Sequence, residues 1–121
     1  MSGRILVVDD EPDVLKVVTF RLGKMGHQIF SAVTGEEALD MVAKEAIDLV
    51  FLDLRMPGID GSEVCKRIKS DERLKSIPVI LLSASNASAM SEIVDECKAD
   101  GYLVKPFDVE DLIETVNRFI V

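Results

Sequence analysis

Four short apolar runs in this chain each stop at a reactive side chain. Ile5-Leu6-Val7-Val8 stops at Asp9-Asp10, Leu49-Val50-Phe51-Leu52 at Asp53, and Val79-Ile80-Leu81-Leu82 at Ser83. Tyr102-Leu103-Val104 leads into Lys105-Pro106. Runs this short and this rich in Val, Ile and Leu read as strands buried on both faces, the mark of a parallel sheet. Polar groups at the carboxyl ends of such strands converge on one crevice, where ligands bind in open α/β sheets. Three carboxylates, a hydroxyl and an ammonium gathered there imply a cation site beside a phosphate site.

Helical patterns separate the runs. Arg4 to Val8 reads as the first strand. Val14, Leu15, Val17, Val18, Leu22 and Met25 have helical spacing, with Pro12 in the first turn, where proline is tolerated. Gly26 ends that helix, and residues 28–33 form a second strand, with His27 expected at the surface of the turn between them. Thr34 is a candidate N-cap with Glu37 in capping-box position, and Ala38, Leu39, Val42 and Ala43 make the stripe of the next helix. Residues 47–53 form the third strand, followed by a loop punctuated by Pro57, Gly58 and Gly61. A third helix spans about Ser62 to Lys69, Pro78 leads into the fourth strand, and residues 86–98 form the fourth helix. Residues 100–104 form the fifth strand, and Asp108 caps a last helix running to about Ile120.

This βα alternation predicts a three-layer α/β/α domain with right-handed crossovers. The first and third strands are the most apolar, so both are central and adjacent. That puts the reversal of strand order, and the crevice, between them. A length of 121 residues suits one such core and not two. The net charge of −8 disfavours nucleic acid and anionic membrane as partners. No apolar stretch reaches the length of a membrane span. The chain enters a strand directly after Met1-Ser2-Gly3, leaving no room for a signal peptide, so a cytoplasmic address is expected. Cys65 and Cys97 lack metal or redox spacing and read as core residues. One histidine is too few for a multi-His metal site, and argues against a histidine phosphodonor.

Like charges packed in one crevice repel and call for a cation. Mg²⁺ suits Asp9, Asp10 and Asp53, since it takes oxygen ligands and typically binds one or two carboxylates with waters and phosphate. The backbone carbonyl of Arg55 is a further candidate ligand, because the chain turns there toward Pro57. Lys105 precedes a proline, which keeps it out of the α region.

Four segments in register, Val7-Val8-Asp9-Asp10-Glu11, Asp53-Leu54-Arg55-Met56-Pro57-Gly58, Ser83-Ala84 and Tyr102-Leu103-Val104-Lys105-Pro106-Phe107, make the chain resemble a bacterial two-component response-regulator receiver domain. The likeness to the chemotaxis response regulator covers residues 1–121 as one domain. It implies a flavodoxin-like, doubly wound, five-stranded parallel sheet in the order 2-1-3-4-5. It also implies a set of roles. Asp53 is the phospho-acceptor, receiving a phosphoryl group from a sensor histidine kinase or a histidine phosphotransfer protein. Asp10 binds Mg²⁺ directly, Asp9 at least through water, and the Arg55 carbonyl completes the set. Lys105 pairs with the phosphoryl group, aimed by a Lys105–Pro106 bond that is often cis in this fold. The Ser83 hydroxyl bonds the phosphoryl group, and Tyr102 then turns inward, altering the face of the fourth helix, fifth strand and last helix for a downstream protein or output domain. Tyr102 and Lys105, three apart, fall on opposite faces of a regular strand, so the turn at Pro106 must carry the lysine to the crevice. Such a protein promotes only its own phosphorylation and dephosphorylation and is not otherwise an enzyme.

Serine at position 83 lacks the methyl of the commoner threonine, which implies looser coupling. Arg55 and Ser85 hold the positions that tune acyl-phosphate lifetime in the family. Ser91 and Thr115 stand where the winged-helix subfamily pairs charges across a dimer, which speaks against that dimer. The apolar end Phe119-Ile120-Val121 favours a receiver cut from a longer chain over a stand-alone regulator. Other classes compete. A haloacid-dehalogenase-type Mg²⁺-dependent aspartyl-phosphate phosphatase wants an acid where Arg55 stands. A flavin binder needs a Ser/Thr/Gly-rich phosphate loop where Asp9-Asp10-Glu11 would repel phosphate. A non-phosphorylated receiver-like scaffold has no need of so complete a set.

Overall fold

The computed structural model describes residues 2–84 and 86–120, with only the backbone of Ala87. Ser85 lies outside the described residues. The strands are β1 (Arg4–Val8), β2 (Gln28–Ala32), β3 (Leu49–Asp53), β4 (Val79–Ser83) and β5 (Gly101–Val104). The helices are α1 (Pro12–Lys24), α2 (Gly35–Lys44), α3 (Gly61–Ser70), α4 (Ala87–Cys97) and α5 (Val109–Phe119). All strand pairs are parallel, in the order β2-β1-β3-β4-β5. The expected order is therefore observed. None of the described helices is long and apolar enough to cross a membrane.

Strand parity divides the core in two. Ile5, Val7, Leu49, Phe51, Ile80 and Leu82 face one way, against Val18 and Leu22 of α1 and Leu112 and Val116 of α5. Leu6, Val8, Val50, Leu52, Val79 and Leu81 face the other way, against α2, α3 and α4. Every residue of β3 and β4 is buried, as a sheet covered on both faces requires. Cys65 and Cys97 are buried where α3 meets α4, and the Cys65 thiol donates to the Cys97 carbonyl at 3.3 Å.

The helix starts follow local chemistry. Thr34 Oγ1 accepts from the Glu37 N–H at 3.1 Å, and Glu37 Oε1 in turn accepts from the Val33 N–H. Asp60 caps α3 through the Glu63 N–H and Asn86 caps α4 through the Ala89 N–H. Asp108 occupies the N-cap position of α5, but its side chain makes no capping bond, contrary to the expected cap.

Two expectations need correction. His27 is buried, not at the surface: the pairing of Arg4 with Gln28 sets it beside Gly3, whose N–H donates to His27 Nδ1 at 2.9 Å. The third strand begins at Leu49, two residues after the expected start at Ile47, because Ile47 is used in the turn after α2, its N–H bonded to the Glu45 carbonyl.

Candidate functional site

The carboxyl ends of β1, β3, β4 and β5 bring together Asp9, Asp53, Ser83 and Lys105, as the four runs implied. Parity decides which side each approaches from. Asp9 continues the face of Ile5 and Val7, Asp53 that of Leu49 and Phe51, and Lys105 that of Leu103, all on the α1/α5 side. Ser83 continues the face of Val79 and Leu81, toward α4. Tyr102 has the parity opposite to Lys105 and packs half-buried against the α4-side cluster. The separation of Tyr102 from Lys105 is thus already set within the strand. The Lys105–Pro106 peptide is cis.

Carboxylate oxygens of Asp9, Asp10 and Asp53 all lie within 4.8 Å of one another. Asp9 and Asp53 are buried and Asp10 is exposed, so the cluster opens to solvent on the Asp10 side. Lys105 Nζ is 2.8 Å from Asp9 Oδ2, 2.9 Å from Glu11 Oε1 and 3.6 Å from Asp53 Oδ1. Asp9 Oδ1 accepts from the Glu11 N–H, and Asp53 Oδ1 accepts from the Arg55 N–H at 3.3 Å. Despite its closeness to Lys105, Asp9 Oδ2 has no well-directed hydrogen-bond donor, although it is buried. The angle excludes a hydrogen bond while the charge attraction persists. A buried carboxylate oxygen without a donor, facing two more carboxylates, fits a hard cation such as Mg²⁺.

The electrostatics agree. Burial pushes Asp53 up from 3.8 to about 6, and the neighbouring Asp9 charge adds to the rise. Lys105 and the Arg55 N–H pull the other way, and Asp10 adds a smaller push. Burial would lower the Lys105 ammonium, but the nearby Asp9 and Glu11 carboxylates outweigh it and hold it above its ordinary value. The crevice thus contains an acid that resists ionising and an ammonium that resists neutralising. A cation held by the three carboxylates would relieve the first, and an anion beside them would engage the second.

The main chain supports this arrangement. The Lys105 N–H donates to the Ser83 carbonyl at 2.7 Å, the Leu54 N–H to the Leu82 carbonyl and the Gly61 N–H to the Leu54 carbonyl. Ser83 itself is buried. A Cβ on Gly61 would run into the Asp53 carbonyl and come within 2.8 Å of Leu54 Cα. The start of α3 therefore rests directly on the backbone that carries Asp53. The Arg55 side chain is exposed, as is Ser91, whereas Thr115 is buried and its hydroxyl donates to the Asp111 carbonyl.

Two contributors were not foreseen in sequence: Gly61 as the support of Asp53, and Glu11 as a partner of Lys105. Glycine after Asp60 hints at the first. The second has no local signal, because the partners stand 94 residues apart.

A family model for the response regulator receiver domain matches residues 5–117. Among solved structures, the chain is similar to the chemotaxis response regulator CheY4 of Vibrio cholerae, at 28% identity over 99% of this chain and 100% of that one, with a TM-score of 0.92. It is also similar to the receiver domain of a signal transduction histidine kinase from Syntrophus aciditrophicus, at 31% identity over 98% of this chain and 89% of that one, with a TM-score of 0.90. A third neighbour is NtrX from Brucella abortus, at 30% identity over 99% of this chain but 27% of that one, with a TM-score of 0.88.

Proposed function

Because the chain belongs to the response regulator receiver family, we propose that it accepts a phosphoryl group on Asp53 from a histidine kinase or histidine phosphotransfer protein and passes the signal on through its α4-β5-α5 face. One observation carries the reading: a buried strand-end carboxylate, held near pKa 6 beside two further carboxylates and 3.6 Å from a lysine. We take residues 1–121 as one receiver unit. The cytoplasmic address expected from the sequence belongs with this reading.

In the reaction an Asp53 oxygen attacks phosphorus in line with the donor nitrogen. The new O–P bond forms as the N–P bond breaks, and the departing imidazole nitrogen takes up a proton. The product is an acyl phosphate of the aspartyl-phosphate kind. Phosphoryl transfer of this kind is mostly positioning and charge neutralisation. Asp9, Asp10, Asp53 and the Arg55 carbonyl would hold Mg²⁺, which when bound neutralises charge shared between the carboxylates and the phosphoryl oxygens. Lys105 would pair with the phosphoryl group from the α1/α5 side and the Ser83 hydroxyl would bond it from the α4 side. With Ser83 drawn toward the phosphoryl group, Tyr102 gains room to turn inward against α4. A ligand shifts such an equilibrium only by its differential affinity for the two states. Without the threonine methyl at position 83 the bias is modest, so both states remain populated after phosphorylation.

Receiver domains are in general signalling modules and not turnover enzymes. The phosphatase alternative gains nothing from the geometry, since the exposed Arg55 stands where its acid would be needed. Incubation with Mg²⁺ and acetyl phosphate should add one phosphoryl mass, and Asp53→Asn should abolish it. A full adduct retained on another residue would overturn the assignment. Changes in amide NMR shifts on beryllofluoride binding should extend from the crevice to residues 90–102. Changes confined to the surroundings of Asp10, Asp53 and Lys105 would rule out the switch.

A further inference from the structure

Glu11 has no task in the chemistry just described, yet its side chain is committed. It is the N-cap residue of α1, a position whose side chain ordinarily accepts a hydrogen bond from the first turn. Glu11 makes no such bond. Its carboxylate instead reaches the Lys105 ammonium at 2.9 Å with good hydrogen-bond geometry. Lys105 is nearer to Glu11 and Asp9 than to Asp53, which stands 3.6 Å away.

We propose that Glu11 is a positioning residue: it holds the Lys105 ammonium toward the mouth of the crevice, and an anion arriving on Asp53 must draw the lysine away from it. The inference rests on the reading of Asp53 as phospho-acceptor and adds a regulator to the same site.

The two side chains differ in a way that suits a reversible hold. The Lys105 side chain is 14% exposed, so bulk water offers its ammonium little compensation and it stays with a carboxylate. The Glu11 side chain is 60% exposed, so water can solvate its carboxylate once the lysine leaves. Asp9 is fully buried and has no such alternative. Glu11 is therefore the contact most easily given up. It sets how much of the Lys105 attraction is available to a phosphoryl group, and so tunes both uptake and retention.

The test is a double-mutant cycle on the affinity for beryllofluoride in saturating Mg²⁺, followed by amide NMR. The four proteins are the wild type, Glu11→Gln, Lys105→Ala and the pair. Glu11→Gln keeps the length and the N-cap backbone but removes the charge that holds the lysine. It should tighten binding about fivefold, the upper range for a partly exposed ion pair. In the Lys105→Ala background the same change should have less than about a twofold effect, the residue of general charge repulsion after screening. Asp13→Asn, which removes an exposed acid from the same rim without touching Lys105, should likewise stay below about twofold. Equal tightening with and without Lys105 would overturn the proposal, reducing Glu11 to one more surface charge. So would unchanged affinity in Glu11→Gln while the wild type binds. If the wild type itself binds no beryllofluoride and takes up no phosphoryl group, the parent reading falls, and this one with it.

Discussion

Replacing Asp53 with Asn should make the metal-free protein more stable, although it removes the residue on which the proposed function depends. An Asp53 carboxyl that titrates at about 6 instead of 3.8 is harder to ionise in the fold than in the unfolded chain, by about 3 kcal/mol. Its side chain is only 6% exposed, so solvent screening takes little from that figure. Asparagine has the shape of the acid and the neutrality of its protonated form, and can still accept the Arg55 N–H. At about pH 7.5 in chelator, Asp53→Asn should therefore exceed the wild type by about 2–3 kcal/mol, or roughly 10 °C in Tm for a domain of this size. The sign follows from linkage. A carboxyl with a raised folded pKa contributes stability that is present below its unfolded value near 3.8 and lost as pH rises through about 6. The gap should thus be small near pH 4, open between about pH 4 and 6.5, and then level off. Excess Mg²⁺ should narrow it at neutral pH, because an ion held at the proposed site would stabilise only the folded wild type. Urea titrations across this pH range, with and without Mg²⁺, measure every part of the claim. A variant no more stable than the wild type at about pH 7.5, or a gap of the same size at pH 4 and 7.5, would refute the reasoning.

Gly61→Ala should destabilise the fold by about 1–3 kcal/mol and slow phosphoryl uptake, since its Cβ meets the backbone of Asp53 and Leu54; equal uptake rates for the two proteins would dissociate Gly61 from the site. His27, held neutral by burial and by accepting the Gly3 N–H, has a lowered folded pKa. Its contribution to stability is present above its unfolded value near 6.5 and lost as pH falls through the folded one, so a His27→Gln variant should lose less stability than the wild type on acidification, as read by urea midpoints. Phe20 and Val17 expose large apolar side chains on α1, on the side of the fold where Val17 and Lys105 line one groove. Phe20→Asp should slow transfer from a protein phosphodonor roughly tenfold while leaving labelling by acetyl phosphate unchanged, and a parallel loss with both donors would count against a docking role.

Much of the site was legible because it is built from strand ends. A run such as Leu49 to Leu52 declares a buried strand by composition, and Asp53 after it must then emerge at the edge of the sheet. The βα alternation and the apolar character of the first and third strands were enough to put Asp9 beside Asp53. Sequence and structure part company where a residue's surroundings come from another segment. His27 looked exposed because a histidine next to Gly26 reads as a turn, yet strand register closes Gly3 over it. Asp108 looked like a side-chain cap because its residue type favours one, yet it makes no capping bond.

Which residues stand at the sheet's carboxyl edge, and which of them share a face, can be read along the chain, since side-chain alternation in a strand has a period of two and needs no partner. That Tyr102 and Lys105 lie on opposite faces follows from that count alone; that those faces meet α4 and α1 is set by the packing. How the charges pair with one another depends on packing between distant segments. That Lys105 sits 2.9 Å from Glu11 and 3.6 Å from Asp53 depends on where α1 begins relative to β5. That Asp53 titrates near 6 depends on how completely the two helical layers exclude water from it. Loss of water and the pull of nearby charges act through space and are set by the packed neighbours, so no local pattern in the chain encodes them.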